Sequence, residues 1–250
     1  MTTFSRADDL QGAEFVDADL RGARFVGADI SGVVMRGVDV QMVDIDSPWL
    51  SEGENVFRVN GVNVIPFVEA QLDRRFPGRA DRRAESPDGL RAAWGALERT
   101  WAVTLERVAA MPAGTVDVSV GGEWTFAQTL RHLVHATDMW LGRAVLQIDE
   151  PFDPIGLGDT GGEGEATSNK SAVVPTYDEV LQVRAGRVVM VRELLATVTA
   201  EELASPRRNP HDAEYPETTL SCLHVILGEE WDHHRYAVRD LDAIEARANG

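Results

Sequence analysis

Ala18-Asp19-Leu20-Arg21-Gly22 is followed in the same register by Ala23-Arg24-Phe25-Val26-Gly27 and Ala28-Asp29-Ile30-Ser31-Gly32. Extended in both directions, the pattern places a large apolar residue at every fifth position. The series runs Leu10, Phe15, Leu20, Phe25, Ile30, Met35, Val40, Ile45. Two places before each stand Asp8, Ala13, Ala18, Ala23, Ala28, Val33, Val38 and Val43. A period of five matches neither the helix, at about 3.6 residues, nor the strand, at about two. The spacing predicts a chain that turns a corner every five residues, with the large residue and the small one before it directed inward.

These pentads resemble the pentapeptide-repeat family. The resemblance implies a right-handed quadrilateral β-helix with four pentads per coil, so the stretch makes a short rod of about two coils. The change from Ala to Val in the later pentads implies a slightly distorted second coil. Stacked repeats usually need about three units plus caps, so a cover for the open end is expected. Residues 57–64 supply a candidate, because Asn60-Gly61 sits between apolar alternations and predicts a two-residue hairpin.

Beyond the hairpin the periodicity becomes helical. Residues 66–75 read as a short helix with Phe67, Val68 and Leu72 on one side, and 77–88 as a charged linker. Leu90, Trp94, Leu97, Trp101, Leu105 and Val108 recur at three-to-four spacing and predict a helix over 89–111. Further helices are expected over 126–146, over 177–198 with Thr176 as its N-cap, and over 218–246. Residues 150–172, rich in Gly, Asp and Pro, form a long connection of the kind that borders a site. Four amphipathic helices with one long crossover predict a bundle. The expected organisation is α+β: repeats and hairpin cap over 1–65, a short helix and linker over 66–87, and the four-helix bundle over 88–250.

Composition narrows the function classes. The formal net charge is −17, from 41 acidic and 24 basic side chains, and such a surface repels phosphate backbones. Nucleic-acid binding is therefore not expected. No apolar run approaches the ~18 residues that a bilayer span requires, and the first residues are too polar for a secretory signal. Cys222 is the only cysteine, which excludes an intramolecular disulfide and agrees with a reducing compartment. The expected address is cytoplasmic. Lys170 is the only lysine.

The chemistry-bearing residues lie on two of the expected helices. His132 stands on the second, and Glu229 and His233 stand on the fourth at i and i+4, one turn apart on one face. A carboxylate and two imidazoles suit a borderline divalent ion and leave a position open. A rival register, Glu230 with His234, falls nearer the apolar residues Leu223, Leu227 and Leu241, and spacing does not choose between the two. The segments Trp124-Thr125 before His132 and Glu229-x-Trp231-x-His233 resemble the DinB/YfiT superfamily of metal-binding four-helix bundles. The closest likeness is to its thiol-dependent branch, which includes the mycothiol-dependent maleylpyruvate isomerases. The resemblance covers roughly residues 88–246 and selects His132, Glu229 and His233 as the metal ligands.

It implies a divalent metal, zinc or nickel, and a low-molecular-weight thiol of the mycothiol type as cosubstrate. It further implies a transferase or isomerase acting on a small molecule. The alternative is a non-catalytic metal-binding or protein-interaction module that uses the repeat surface, and a homodimer is compatible with either. Among the other residues, Tyr236 is expected to orient a reactant or sit beside the ligands. His135 and His234 are expected beside the site or at the surface, and His224 in solvent. Cys222 reads as a small apolar side chain. Trp94, Trp101, Trp140 and Trp231 read as core, and Asp232, Asp240 and Asp242 as a solvated face.

Overall fold

The computed structural model describes residues 3–5, 7–158, 174–212 and 214–248. Most of the expected 150–172 connection, from residue 159 onward and including Lys170, lies outside the described residues. The chain divides into two compact units, Met1–Asp44 and Ile45–Gly250.

In the first unit the backbone takes a left-handed φ at Gly12, Asp17, Gly22, Gly27, Gly32, Gly37 and Met42, one corner every five residues. Five of the seven are glycine, which has no Cβ to oppose that conformation. Alternate corners carry a second device. Asp9, Asp19, Asp29 and Asp39 each accept a hydrogen bond from the backbone N–H two residues on, at 2.9–3.2 Å. The same corners close β-turns from Ala13, Ala23, Val33 and Val43 to the carbonyls of Leu10, Leu20, Ile30 and Val40. These are Asx-supported turns, and they add a ten-residue rhythm to the five-residue one.

The five-residue corner is therefore present, but two expected features are not. No strand occurs among the described residues of this unit. The large residues from Leu10 to Ile45 are 42–67% exposed instead of directed into a core. A coil buries its inner residues against the coils above and below, and a chain of this length has few coils to stack.

The second unit is built around helices. Its first hairpin pairs β1 (Arg58–Val59) with β2 (Val62–Asn63), Val59 opposite Val62, with Asn60 and Gly61 both at positive φ as a tight hairpin turn requires. Helix α1 (Ile65–Arg75) follows and leaves Phe67 exposed. The expected linker instead contains a 3-10 turn, Arg79–Arg83. Buried Arg79 there bridges Glu69 (3.0 Å) and Asp73 (2.6 Å), which is why a charged stretch is ordered against the helices.

Helix α2 (Pro87–Ala110) starts where Ser86 caps the N–H of Gly89. Its buried face carries Leu90, Trp94, Leu97, Trp101 and Val108, the predicted stripe. Helix α3 (Phe126–Thr137) opens with a capping box between Thr125 and Gln128. Where one continuous helix to 146 is expected, the last part, Asp138–Val145, is a π-helix. The N–H of Leu146 reaches back five residues to Leu141 O at 2.8 Å.

Helix α4 (Tyr177–Thr197) begins with the expected Thr176, in a capping box with Glu179. A single turn, α5 (Ala200–Leu203), leads into a second hairpin, β3 (Pro206–Arg208) against β4 (Pro216–Thr218). Neither is apparent in the sequence, where three prolines obscure the strand pattern. Helix α6 (Thr219–Ala248) closes the unit. Helices α2, α3 with its π extension, α4 and α6 pack on one apolar core. Trp94, Trp101, Trp140 and Trp231 all lie in it, as expected. Each fully buried large side chain contributes roughly 1.5–3 kcal/mol.

Candidate metal centre

Helices α3 and α6 bring His132, Glu229 and His233 together. One ligand atom from each lies within 4.8 Å of the other two, although 97 positions separate His132 from Glu229. His132 Nε2 and His233 Nδ1 each stand 3.3 Å from Glu229 Oε2. The two imidazoles stack with centroids 4.6 Å apart. Trp124 covers them, with its ring 4.7 Å from that of His132 and 6.0 Å from that of His233. His132 is buried, while Glu229 and His233 are half-buried, so the cluster meets solvent on one side.

The donor set fits a divalent cation. Ligands bonded at about 2.0–2.2 Å in a tetrahedral shell stand roughly 3.3–3.6 Å apart, close to the 3.3 Å between His132 Nε2 and Glu229 Oε2. Both rings are also oriented from behind. His132 Nδ1 lies 3.1 Å from Leu157 O, which makes Nδ1 an N–H donor and, in the neutral ring, leaves Nε2, the atom nearest Glu229, with the lone pair a cation needs. His233 Nδ1 lies 2.9 Å from the carbonyl of Glu229, one turn back. Burial alone would raise the Glu229 carboxyl, but when the two imidazoles are protonated the hydrogen bond from His132 and the charges of His233 and His132 outweigh it and hold the group below its usual range. A carboxylate that stays ionised is what a cation site requires.

The rival register has another use. Glu230 and His234 are buried in the bundle interior. Glu230 pairs with Arg184 of α4, and His234 Nε2 lies 2.8 Å from Thr104 Oγ1 of α2. Burial pushes the His234 imidazole down to about 4. His234 is thus neither at the surface nor among the candidate ligands. His224 departs from expectation as well: it is half-buried, 2.9 Å from Ala84 O. His135 stacks on Phe152 at 5.2 Å. Asp232 is half-buried and not on a solvated face, and that burial raises its carboxyl to about 6 against the pull of Arg235. Asp240 pairs with Arg239, and Asp242 with Arg107.

Tyr236 meets His233 edge-on at 5.9 Å and carries the Arg235 guanidinium 4.3 Å above its ring. Cys222 is fully buried, and burial pushes its thiol up to about 12, so it packs as an apolar side chain. A small cavity of about 90 Å³ lies elsewhere, lined in part by Asp46, Glu69, Arg79, Asp232 and Arg235, and none of the three candidate ligands borders it. The Leu157 carbonyl was beyond the reach of sequence reasoning, because a main-chain oxygen has no residue signature.

No helix among the described residues is long and apolar enough to cross a membrane. The model described as pentapeptide repeats (8 copies) matches residues 9–39. The model of the DinB superfamily matches residues 96–237, which contain His132, Glu229 and His233. Comparison with curated proteins and with solved structures returned no match. By the match over its helical unit, with the three clustered side chains inside the matched span, the chain belongs to the DinB superfamily.

Proposed function

We propose that the protein is a divalent-metal-dependent enzyme of the DinB superfamily that uses a low-molecular-weight thiol in a transfer or isomerisation reaction. The observation that carries this reading is the convergence of His132, Glu229 and His233 from two helices onto one point open to solvent on one side. Three protein ligands leave a fourth position for an exogenous group, the arrangement that separates catalytic from closed structural sites. A divalent cation held there would stabilise a thiolate by its charge.

The chain's own groups have separate tasks. Leu157 O and Glu229 O orient the two imidazoles. Trp124 shields the stacked rings from water, and Tyr236 flanks His233 where a reactant would approach. The ion we favour is zinc or nickel, on the strength of the mixed imidazole–carboxylate set. The measurement is elemental analysis of untreated protein beside His132→Ala. We expect close to one equivalent of metal in the wild type and a large loss in the variant. Equal metal content in the two would defeat the assignment. Thiol consumption by the metal-loaded protein with electrophile panels then tests the chemistry, and no turnover with any thiol would remove the transferase reading.

A second reading, a protein-contact role for the repeats, is favoured by the exposed apolar residues from Leu10 to Val40. In this reading the five-residue corners support a quadrilateral coil as the contact element, and a homodimer is one outcome. Light scattering on the full chain across a concentration series tests it. A strictly monomeric protein would remove self-association.

A further inference from the structure

We propose that residues 151–157 form a positioning strap for His132, and that Asp138, Arg187 and Asp153 are the clasp that holds it. The inference rests on the metal reading above and concerns residues outside the ligand set. The strap lies along α3 and its π extension through four main-chain contacts. Asp153 N–H donates to Asp138 Oδ2 at 2.9 Å, and Arg131 Nε donates to Ile155 O at 2.8 Å. Leu157 N–H donates to Arg131 O at 3.1 Å, and Leu157 O meets His132 Nδ1 at the same distance. The last contact gives the strap its purpose, since that carbonyl sets the tautomer and rotation of the imidazole.

The clasp is buried and specific. Asp138, 1% exposed, sits at the first residue of the π-helix and accepts a two-pronged contact from Arg187 of α4. Arg187 also reaches Asp153 Oδ2 at 3.4 Å. One guanidinium thus joins α4, the π-helix and the strap, in the fork geometry that arginine provides and lysine does not. Two glycines allow the close fit. A Cβ on Gly142 would stand 2.7 Å from Pro151 Cβ, and one on Gly156 would stand 3.3 Å from His135 Cβ. Every element of this arrangement leads to Leu157, so Arg187 and Asp153 act on the metal through His132 and touch neither the ion nor the reactants.

The test measures zinc and cobalt binding to the full chain, with Arg187→Met and Asp153→Ala as probes. Arg192→Met, on the same helix as Arg187, breaks a pair with Glu98 of α2 and is the control. Competition with a chromophoric chelator gives the zinc Kd, and the visible bands of the cobalt form report ligand geometry. Loss of an outer partner of a ligating histidine weakens metal binding about 10–100-fold. We expect a loss of up to that order in Arg187→Met, which acts on His132 only through the strap, a smaller one in Asp153→Ala, and shifted cobalt bands in both, with Arg192→Met unchanged. Should Arg187→Met fail to fold, the half-buried Asp153→Ala carries the test. Wild-type Kd and cobalt bands in both probes, while His132→Ala loses the metal, would overturn the strap alone. If the wild type binds neither ion, the metal reading falls and the strap falls with it.

Discussion

The Arg184–Glu230 pair offers a quantitative test of how this bundle is held together. Glu230 is 1% exposed and the Arg184 side chain 8%. The contact uses Arg184 Nη2 and Glu230 Oε1, while Glu230 Oε2 and Arg184 Nη1 have no hydrogen-bond partner among the described residues. Two buried charges joined by one hydrogen bond recover little of their desolvation. Arg184→Met would strand a carboxylate and Glu230→Leu would strand a guanidinium. Each should cost about 3–5 kcal/mol. The double variant removes both charges and fills the space with apolar atoms, so it should fall within about 1 kcal/mol of wild type or exceed it.

Urea unfolding followed by tryptophan fluorescence is the assay. All six tryptophans (Trp49, Trp94, Trp101, Trp124, Trp140 and Trp231) lie in the unit Ile45–Gly250, so the signal reports that unit alone. A chelator should be present, because a bound ion would stabilise the folded state independently. At a slope of about 2 kcal/mol/M, each single variant should lower the midpoint by roughly 1.5–2.5 M. Single variants that cost less than about 1 kcal/mol, or a double variant equal to their sum, would refute the reasoning.

Other expectations follow from the same physics. Zinc should raise the unfolding free energy of the wild type by about 2.7 kcal/mol at a hundredfold excess over Kd, and should leave His233→Ala unmoved; an equal rise in both would be the contrary result. Cys222 should resist thiol reagents in the native state at pH 8, where a thiol with a pKa of about 12 is only roughly 0.01% thiolate, and should react at once in denaturant; fast native labelling would contradict its burial. Glu69→Gln should cost about 1–2 kcal/mol at pH 7. Burial raises that carboxyl, but Arg79 and Arg82 more than compensate and hold it below its ordinary value. Its contribution is therefore present above the unfolded value of about 4.3 and lost as pH falls through the lower folded value. The stability gap between wild type and variant should close below about pH 4, and a gap that persists there would show that the pairing is not its source.

The sequence alone determined the local features, since these depend on neighbours along the chain. The five-residue corners follow from glycine placement, the helices from apolar spacing with Thr176 as a cap, and the first hairpin from Asn60-Gly61. The candidate ligands were legible only through the family resemblance, because helical spacing left Glu229 with His233 and Glu230 with His234 equally open. Tertiary structure decided the rest. Which of two adjacent Glu–His registers faces the interior depends on what α2 and α4 present opposite α6, namely Thr104 and Arg184. The π-helix and the strap depend on Asp138 meeting Arg187 from another helix, 49 positions away. Contacts of that range are set by packing, and no periodicity in the chain records them.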